Sequence, residues 1–477
     1  MHETSLGKLA AAVGGEMVEP SAAGVQVTEI THDSRQAVEG SLFCCVAGAQ
    51  HDGHTFAAAA IEAGAAALLV ERRLDLEVAQ IVVPSVRASM GPAAATIFDH
   101  PWRRCRVVGV TGTAGKTSVT HALAAIGNAC GSVCEVVGTL DGPRTTPEAP
   151  DLYRRLDAAA RNGVDLAIVE VSSHALELGR VDGARFAAGV FTNLGHEHLD
   201  FHGSMEHYFA AKAKLFDGRS EVAVVNMADP WGRRLASMAS AVARVHRWQP
   251  DDVSVASAYG LRGHWQGRPV RCSLLGRINA ANVAGAAATA CALGYESDDV
   301  ARGISAIEPV RGRLWPVSTP ADDVLVLVDF AHKPTALAAT LSSARELAAS
   351  GGNVWAVFGA GGDRDQSKRA LMGHAADRHA DLVVITSDNP RSEDPAEIAA
   401  VIASGASRRH GPDDGLHIEL DRARAIALAI DSASAGDVIV VAGKGHETMQ
   451  IRGDCAVAFD DAKVSAELLS RRRERTR

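Results

Sequence analysis

The run from Arg106 to Thr120, RVVGVTGTAGKTSVT, constrains this chain more than any other stretch. Val107, Val108 and Val110 are β-branched and uninterrupted by charge, as in a strand buried on both faces of a parallel sheet. Gly112 and Gly115 end that run, Lys116 and Thr117 follow at once, and Val119, Leu123 and Ile126 recur at helical spacing. Strand, glycine turn and helix in this order predict a phosphate-binding loop. Gly112, Thr113, Ala114, Gly115 and Ser118 would present backbone to the anion at the helix start. Lys116 supplies a point charge, and the Thr117 hydroxyl can ligate Mg²⁺. The loop is not the common G-x-x-x-x-G-K-[ST], because position 110 is valine.

A chain of 477 residues predicts about three domains of ~150 residues each. Apolar residues make up 47% and aromatic ones 4%, so Val, Ala and Leu must fill the cores. The formal charge of −9 argues against a general nucleic-acid binder. Eight cysteines lie scattered without a C-x-x-C pair, and Cys44 and Cys45 are adjacent. That usage fits neither a disulfide framework nor a zinc site and predicts a reducing compartment. Polar residues follow Met1, and no apolar run reaches ~18 residues, so a cytoplasmic chain without signal peptide or membrane span is expected. Arg471, Arg472, Arg473, Arg475 and Arg477 crowd the carboxyl terminus and read as a frayed, solvated helix end.

In chain order, residues 1–103 alternate strands (Leu42–Val46, Ala65–Val70, Gln80–Val83) with helices, a small α/β unit. Within it, His51-Asp52-Gly53 alone reads as an ordinary turn. Residues 104–315 carry the loop and a strong strand, Asp165–Val171, with Glu170 near its end. A charge in so apolar a run is costly unless paired, and an acid there can reach a bound Mg²⁺. The strand Ala188–Thr192 runs into Asn193-Leu194-Gly195-His196-Glu197-His198. Those histidines invite a zinc reading, but neither H-E-x-x-H nor a third ligand accompanies them. Lys212 and Lys214, on a helix from His207 to Phe216, read by themselves as solvated lysines. In residues 316–477 four strands each end in a polar cluster. The clusters are Asp329-Phe330-Ala331-His332, Gly359 to Asp365, Asp388-Asn389-Pro390-Arg391, and Gly443-Lys444-Gly445-His446-Glu447. Ligands of open parallel sheets bind at that edge, so four such clusters predict a site.

Together, TGTAGKT, EVSSHAL, TNLGHEHLDFHG, YFAAKAKLF, GAGGDRD, DNPR and GKGHE resemble the Mur ligases, the amino-acid-adding enzymes of peptidoglycan synthesis. The likeness runs from Asp33-Ser34-Arg35 to Glu447, in the family's order. It implies an α/β chain of three domains: 1–103 for the UDP-sugar, a central P-loop ATPase domain at 104–315, and a Rossmann-like amino-acid domain at 316–477. By motif position, Ser34, Gln50 and His51 would contact the UDP-sugar, and Thr145, Thr146, Ser172 and Arg180 the muramoyl-peptide end. Thr117, Glu170 and His198 would bind magnesium, and Lys212 would be carbamoylated by CO₂ beside it. Lys116, Glu170, His198 and Lys212 are thus the implied catalytic set. Asn282, Arg313, Asp329 and His332 match positions that hold adenosine. Ala114 stands where Asn is common, Leu178 where some members are polar, and Phe330, Lys333 and Thr335 in surroundings more usually FAH/YAH-x-P-D. No proline precedes Gly312.

The resemblance implies ATP-driven activation of the D-Glu γ-carboxylate of UDP-N-acetylmuramoyl-L-alanyl-D-glutamate as an acyl phosphate, which an amine then attacks. DNPR is the form seen in members that add meso-2,6-diaminopimelate. Arg364 and Arg391 can clamp its distal carboxylate and Glu447 its ammonium, beside Asp388, Asn389, Pro390 and Gly443. A monomer acting on small molecules, without nucleic acid or membrane, is expected. The alternatives are a related ligase using lysine or a folate-glutamate chain, and a nucleotide-binding scaffold without turnover.

Overall fold

The computed structural model describes the chain apart from residues 1–2, 49–50, 251–252, 254–255, 258–259, 408–414 and 477. Packing divides it into two compact units, Met1–Trp248 with Gly285–Glu296, and Gln249–Ala284 with Ser297–Arg477.

The first unit is organised by a six-stranded parallel sheet. In space its order is Arg244–Trp248, Ser220–Asn226, Phe186–Phe191, Arg106–Thr111, Leu166–Glu170, Cys134–Val137. The inner strands are largely sealed on both faces, which fits sequences built mostly of Val, Ala, Ile and Phe. From Arg106–Thr111 the chain passes through the helix Lys116–Ala129 to the edge strand Cys134–Val137 and returns to Leu166–Glu170. It then crosses to Phe186–Phe191 on the other side, so the order reverses around Arg106–Thr111. The carboxyl end of that strand is therefore a switch point, the place where such sheets hold ligands. Register sets Glu170 opposite Val110, level with the start of the glycine turn. Gly115, at φ 84°, supplies the left-handed bend that lets the helix begin at Lys116.

A second sheet in this unit runs Glu16–Met17, Ala79–Val82, Ala65–Val70, Ser41–Cys44, Glu29–Thr31, parallel but for Glu16–Met17. One apolar core, including Leu6, Leu42, Met90, Tyr153 and Phe191, serves both sheets.

The second unit is doubly wound. Its sheet runs Trp315–Pro316, Leu325–Asp329, Val438–Ala442, Val354–Phe358, Leu382–Ile385, Leu416–Ile418, parallel but for the first strand. Leu337, Leu341, Met372 and Ile398 cover one face from the helices Pro334–Leu347, Lys368–His379 and Pro395–Ala403. Ile426, Ile430 and Leu469 cover the other from Arg422–Ser432 and Asp461–Thr476. The hairpin Met449–Arg452 with Cys455–Ala458 stands beyond the sheet's carboxyl edge. Among the described residues no helix is long and apolar enough to cross a membrane.

Three of the carboxyl-terminal arginines are paired and not frayed, while Arg471 is exposed and Arg477 lies outside the described residues. Arg472 donates two bonds of 2.8 Å to Asp323, Arg473 lies 2.7 Å from Asp322, and Arg475 pairs with Asp431. Acids from two distant segments converge on the helix end, which sequence spacing does not reveal. The Arg472→Ala variant should lose about 1 kcal/mol, because this fork is bidentate yet partly open to solvent. Arg472 holds the Asp323 carboxyl below the usual range. The stabilisation is therefore present above an unfolded carboxylate pKa of about 3.9 and fades as pH falls through the lower native value. Thermal denaturation of both proteins at neutral and acid pH checks this: the gap in Tm should close in acid.

Candidate active site

The glycine turn is built against the neighbouring strand. A Cβ on Gly112 would lie 1.9 Å from Thr192 Oγ1, so no side chain fits there. Thr192 donates to the Ala114 carbonyl at 2.6 Å, while Asn193 accepts from the Ala114 N–H at 2.9 Å. Ala114 is thus held by Asn193, a residue singled out by sequence only as part of a motif. Thr113 Oγ1 accepts from the Gly195 N–H at 2.9 Å and shares a hydrogen bond of 3.0 Å with the Tyr208 hydroxyl. Lys116 Nζ donates to the Gly112 and Thr113 carbonyls at 2.8 and 3.1 Å.

Glu170 is 1% exposed and is satisfied by three donors: Thr117 Oγ1 at 3.0 Å, Thr139 N at 2.9 Å and Thr139 Oγ1 at 3.1 Å. Thr117 and Glu170 therefore meet as expected, and together they offer the oxygen ligands a hard cation such as Mg²⁺ requires. Among the described residues no group of three or more His, Cys, Asp or Glu side chains is placed to hold a metal ion. Lys212 is not solvated: it is 1% exposed, its Nζ donates to the Gly112 carbonyl at 2.9 Å, and it lies 4.7 Å from the Tyr208 ring centre. The helix Met205–Ala213 turns this lysine inward because Tyr208 and Phe209 anchor the same element in the core. His198 takes a left-handed backbone, φ 54°, to open the helix Leu199–His202. Its ring packs edge-on against His174 at 4.7 Å and stands 6.0 Å from Tyr208, so it joins the loop through that tyrosine.

Around the end of the Glu170 strand the expected peptide-end residues do converge. Thr146 donates to the Glu170 carbonyl at 2.8 Å and accepts from the Ser172 N–H at 3.0 Å. Arg180 donates to the Thr146 carbonyl at 3.1 Å and pairs with Glu148 at 2.9 Å, while Thr145 lies 3.1 Å from Thr139. Ser34 and His51 follow the adjacent parallel strands Glu29–Thr31 and Ser41–Cys44, which sets both at one sheet edge. Gln50 lies outside the described residues. The turn at His51 is stiffened next door, where Asp52 accepts from the His54 N–H at 3.0 Å, lies 2.6 Å from the His54 ring Nδ1 and pairs with Arg72 at 2.9 Å.

In the second unit, Asp329 accepts from the Leu314 and Ala331 N–H groups at 2.6 and 2.8 Å, and burial raises its pKa. Burial pushes His332 down to about 3, so its neutral ring donates from Nδ1 to the Phe330 carbonyl at 2.7 Å. Arg313 lies over the Phe330 ring at 4.9 Å, and Asn282 bonds Asn279 at 3.1 Å. All four strand-end clusters meet: the Gly443 N–H donates to the Asp329 carbonyl at 3.1 Å, and the Phe330 and His446 rings lie 5.0 Å apart. Asn389 donates to Glu447 at 2.9 Å, and Arg391, at φ 51°, reaches back to the Gly362 carbonyl at 2.7 Å. Arg364 is exposed in the same Gly361–Arg364 segment, and Asp388 Oδ2 lies where a Cβ on Gly443 would be, 2.4 Å away. Pro390 and Arg391 line a cavity of about 270 Å³ with Glu393, Asp421 and Arg452. Lys444, fully buried, donates to Glu447 at 3.3 Å and was not singled out as a site residue by sequence.

Residues 26–101 match the model of the Mur ligase family catalytic domain, 110–290 that of the Mur ligase middle domain, and 312–445 that of the Mur ligase glutamate ligase domain. A UDP-N-acetylmuramoyl-L-alanyl-D-glutamate–2,6-diaminopimelate ligase of Chromobacterium violaceum is 38% identical, over 94% of this chain and 95% of its own. The ligase of the same name from Streptomyces coelicolor is also 38% identical, over 98% and 97%. A solved structure of such a ligase superposes with a TM-score of 0.69 at 30% identity, covering 99% of each chain. MurF from Acinetobacter baumannii, at 19% identity, shares the fold with a TM-score of 0.68 over 98% of this chain and 99% of its own.

Gly138 is the residue sequence reasoning passed over at the loop. A Cβ there would fall 2.2 Å from Glu170 Oε1 and push the carboxylate off its three donors. The Gly138→Ala variant should keep its fold by circular dichroism but bind adenine nucleotide in Mg²⁺ about ten-fold more weakly, the usual scale for disturbing a ligand's support. Titration calorimetry with and without Mg²⁺ measures it; an unchanged affinity would rule Glu170 out as a Mg²⁺ ligand.

Proposed function

The chain belongs to the Mur ligase family, and on that premise we propose that it is an ATP-dependent ligase of cytoplasmic peptidoglycan-precursor synthesis. It joins meso-2,6-diaminopimelate to the D-Glu γ-carboxylate of UDP-N-acetylmuramoyl-L-alanyl-D-glutamate. Residues 1–103 take the UDP end, 104–315 the ATP, and 316–477, Rossmann-like, the amino acid. The observation that carries this reading is the switch-point loop, where Lys116, Thr117 and Glu170 converge at one strand end.

The chemistry follows from charge. A carboxylate is a poor acyl donor, so the γ-phosphoryl group of ATP passes to it and ADP leaves, giving an acyl phosphate. The neutral amine of diaminopimelate attacks the acyl carbon, the C–N bond forms, phosphate leaves with the bonding pair, and the nitrogen gives up one proton to solvent. Two anions must first be brought together. Lys116 and the amides of the helix start supply fixed positive potential, and losing one such preorganised donor costs about 3 kcal/mol or more of barrier. Thr117 and Glu170 would hold Mg²⁺, which when bound neutralises phosphate charge. His198, beyond Tyr208, completes that set. Thr145, Thr146, Ser172 and Arg180 would hold the peptide end against it, and Ser34, Gln50 and His51 the sugar nucleotide. Asn282, Arg313, Asp329 and His332 would hold adenosine; the neutral His332 ring offers an acceptor, not a charge.

Lys212 is proposed to carry a carbamate: its neutral amine adds to CO₂ and releases one proton. The product nitrogen keeps one N–H, enough for the bond to Gly112. Protein equilibrated with isotope-labelled bicarbonate should show a carbamate carbon signal that Lys212→Ala lacks; its absence from the wild type would refute the modification.

For the amino acid, Arg391 and Arg364 face a second carboxylate that lysine does not possess. The decisive experiment measures phosphate release with ATP, Mg²⁺ and the UDP-dipeptide against diaminopimelate, lysine and glutamate. Turnover should require diaminopimelate; release with lysine instead would reassign the substrate, and none with any amino acid would indicate a scaffold. In Arg391→Ala, KM for diaminopimelate should rise by about 100-fold with ATP binding intact, as when a buried polar recognition is removed.

A further inference from the structure

We propose that Arg422 is a positioning residue for the amino-acid site, setting the spacing between the loop at Asp388–Arg391 and the loop at Gly443–Glu447. It rests on the assignment of those loops to the amino acid, and it adds a residue that touches no substrate.

Arg422 is fully buried at the start of the helix Arg422–Ser432, where the helix dipole disfavours a cation. A guanidinium in such a place persists only when its donors are met. Nε and one terminal nitrogen grip Asp461, both at 2.7 Å. Two further donors go to backbone carbonyls, Ser387 at 3.2 Å and Ala442 at 2.9 Å. Those are the residues directly before Asp388 and Gly443.

The geometry of the sheet gives this bridge its importance. Leu382–Ile385 and Val438–Ala442 are not neighbours, because Val354–Phe358 runs between them. No ladder of strand hydrogen bonds connects the two ends directly. The loop after Val354–Phe358 starts with Gly359, where a Cβ would meet the Thr386 carbonyl at 2.1 Å, so its neighbours are packed to contact. Arg422 spans from one flanking strand end to the other behind it. On the front, Asn389 donates to Glu447 at 2.9 Å, and Gln450 donates to the Asp388 carbonyl at 2.7 Å. The Asp388 and Glu447 carboxylates add to the field that keeps the guanidinium charged. Lysine has one donor centre and cannot make the fork to Asp461 while reaching both carbonyls.

The test is steady-state kinetics on the full-length Arg422→Lys protein, with Asp461→Asn as a second variant that keeps both carbonyl bonds but loosens the fork. KM for diaminopimelate should rise about ten-fold in Arg422→Lys and less in Asp461→Asn, with kcat and KM for ATP nearly unchanged, the pattern of lost ground-state binding. A lower Tm with unchanged KM for diaminopimelate would make Arg422 merely structural and overturn the proposal. If Arg422→Lys does not fold, Asp461→Asn alone decides by the same comparison. Wild-type protein that releases no phosphate with diaminopimelate defeats the proposed function itself, and this inference with it; turnover in the wild type with an unmoved KM in the variants defeats this inference only.

Discussion

A carboxylate buried at the end of a parallel strand cannot be left without donors, and Glu170 shows what the chain does about it. Desolvating such a group without compensation costs several kcal/mol. Thr117 comes from the helix that follows the glycine turn, and Thr139 from the loop after the edge strand. Satisfying one acid therefore fixes three segments relative to each other. The Gly112 and Gly138 positions serve the same end by removing side chains that would hold those segments apart. The site follows from this constraint as much as from the sheet order that creates its crevice.

The second unit meets a similar demand at its own carboxyl edge with different means. Its strands are as apolar as those of the first unit, so the polar groups collect in the loops beyond them. There the loops are tied by side-chain amides and buried cations. Asn389 and Gln450 donate across to neighbouring segments, and Lys444 donates to Glu447 within its own loop.

Much of this was legible before the fold. Fully buried parallel strands read as unbroken apolar runs, so Ala65–Val70 and Val438–Ala442 fall where the sequence places them, and others shift by a residue or two. The loop, Glu170 and the four strand-end clusters are legible for the same reason, since each departs sharply from the run before it. What escaped was set by partners far along the chain. Lys212 sits among alanines on a short helix and by spacing alone looks solvated; the family resemblance singled it out, and the Gly112 carbonyl accounts for its inward place. The terminal arginines look free because Asp322, Asp323 and Asp431 are remote in sequence. Gly138 and Thr139 carry no motif at all; their role exists only in the geometry of the loop.

The Gly112 carbonyl receives Lys116 from its own loop and Lys212 from a distant helix. Mobile ions screen exposed charges within a Debye length of about 8 Å at physiological ionic strength, but reach buried ones poorly. Lys212 is sealed from that atmosphere. Until a carbamate forms on it, its ammonium should keep its field in added salt far better than the surface arginines keep theirs.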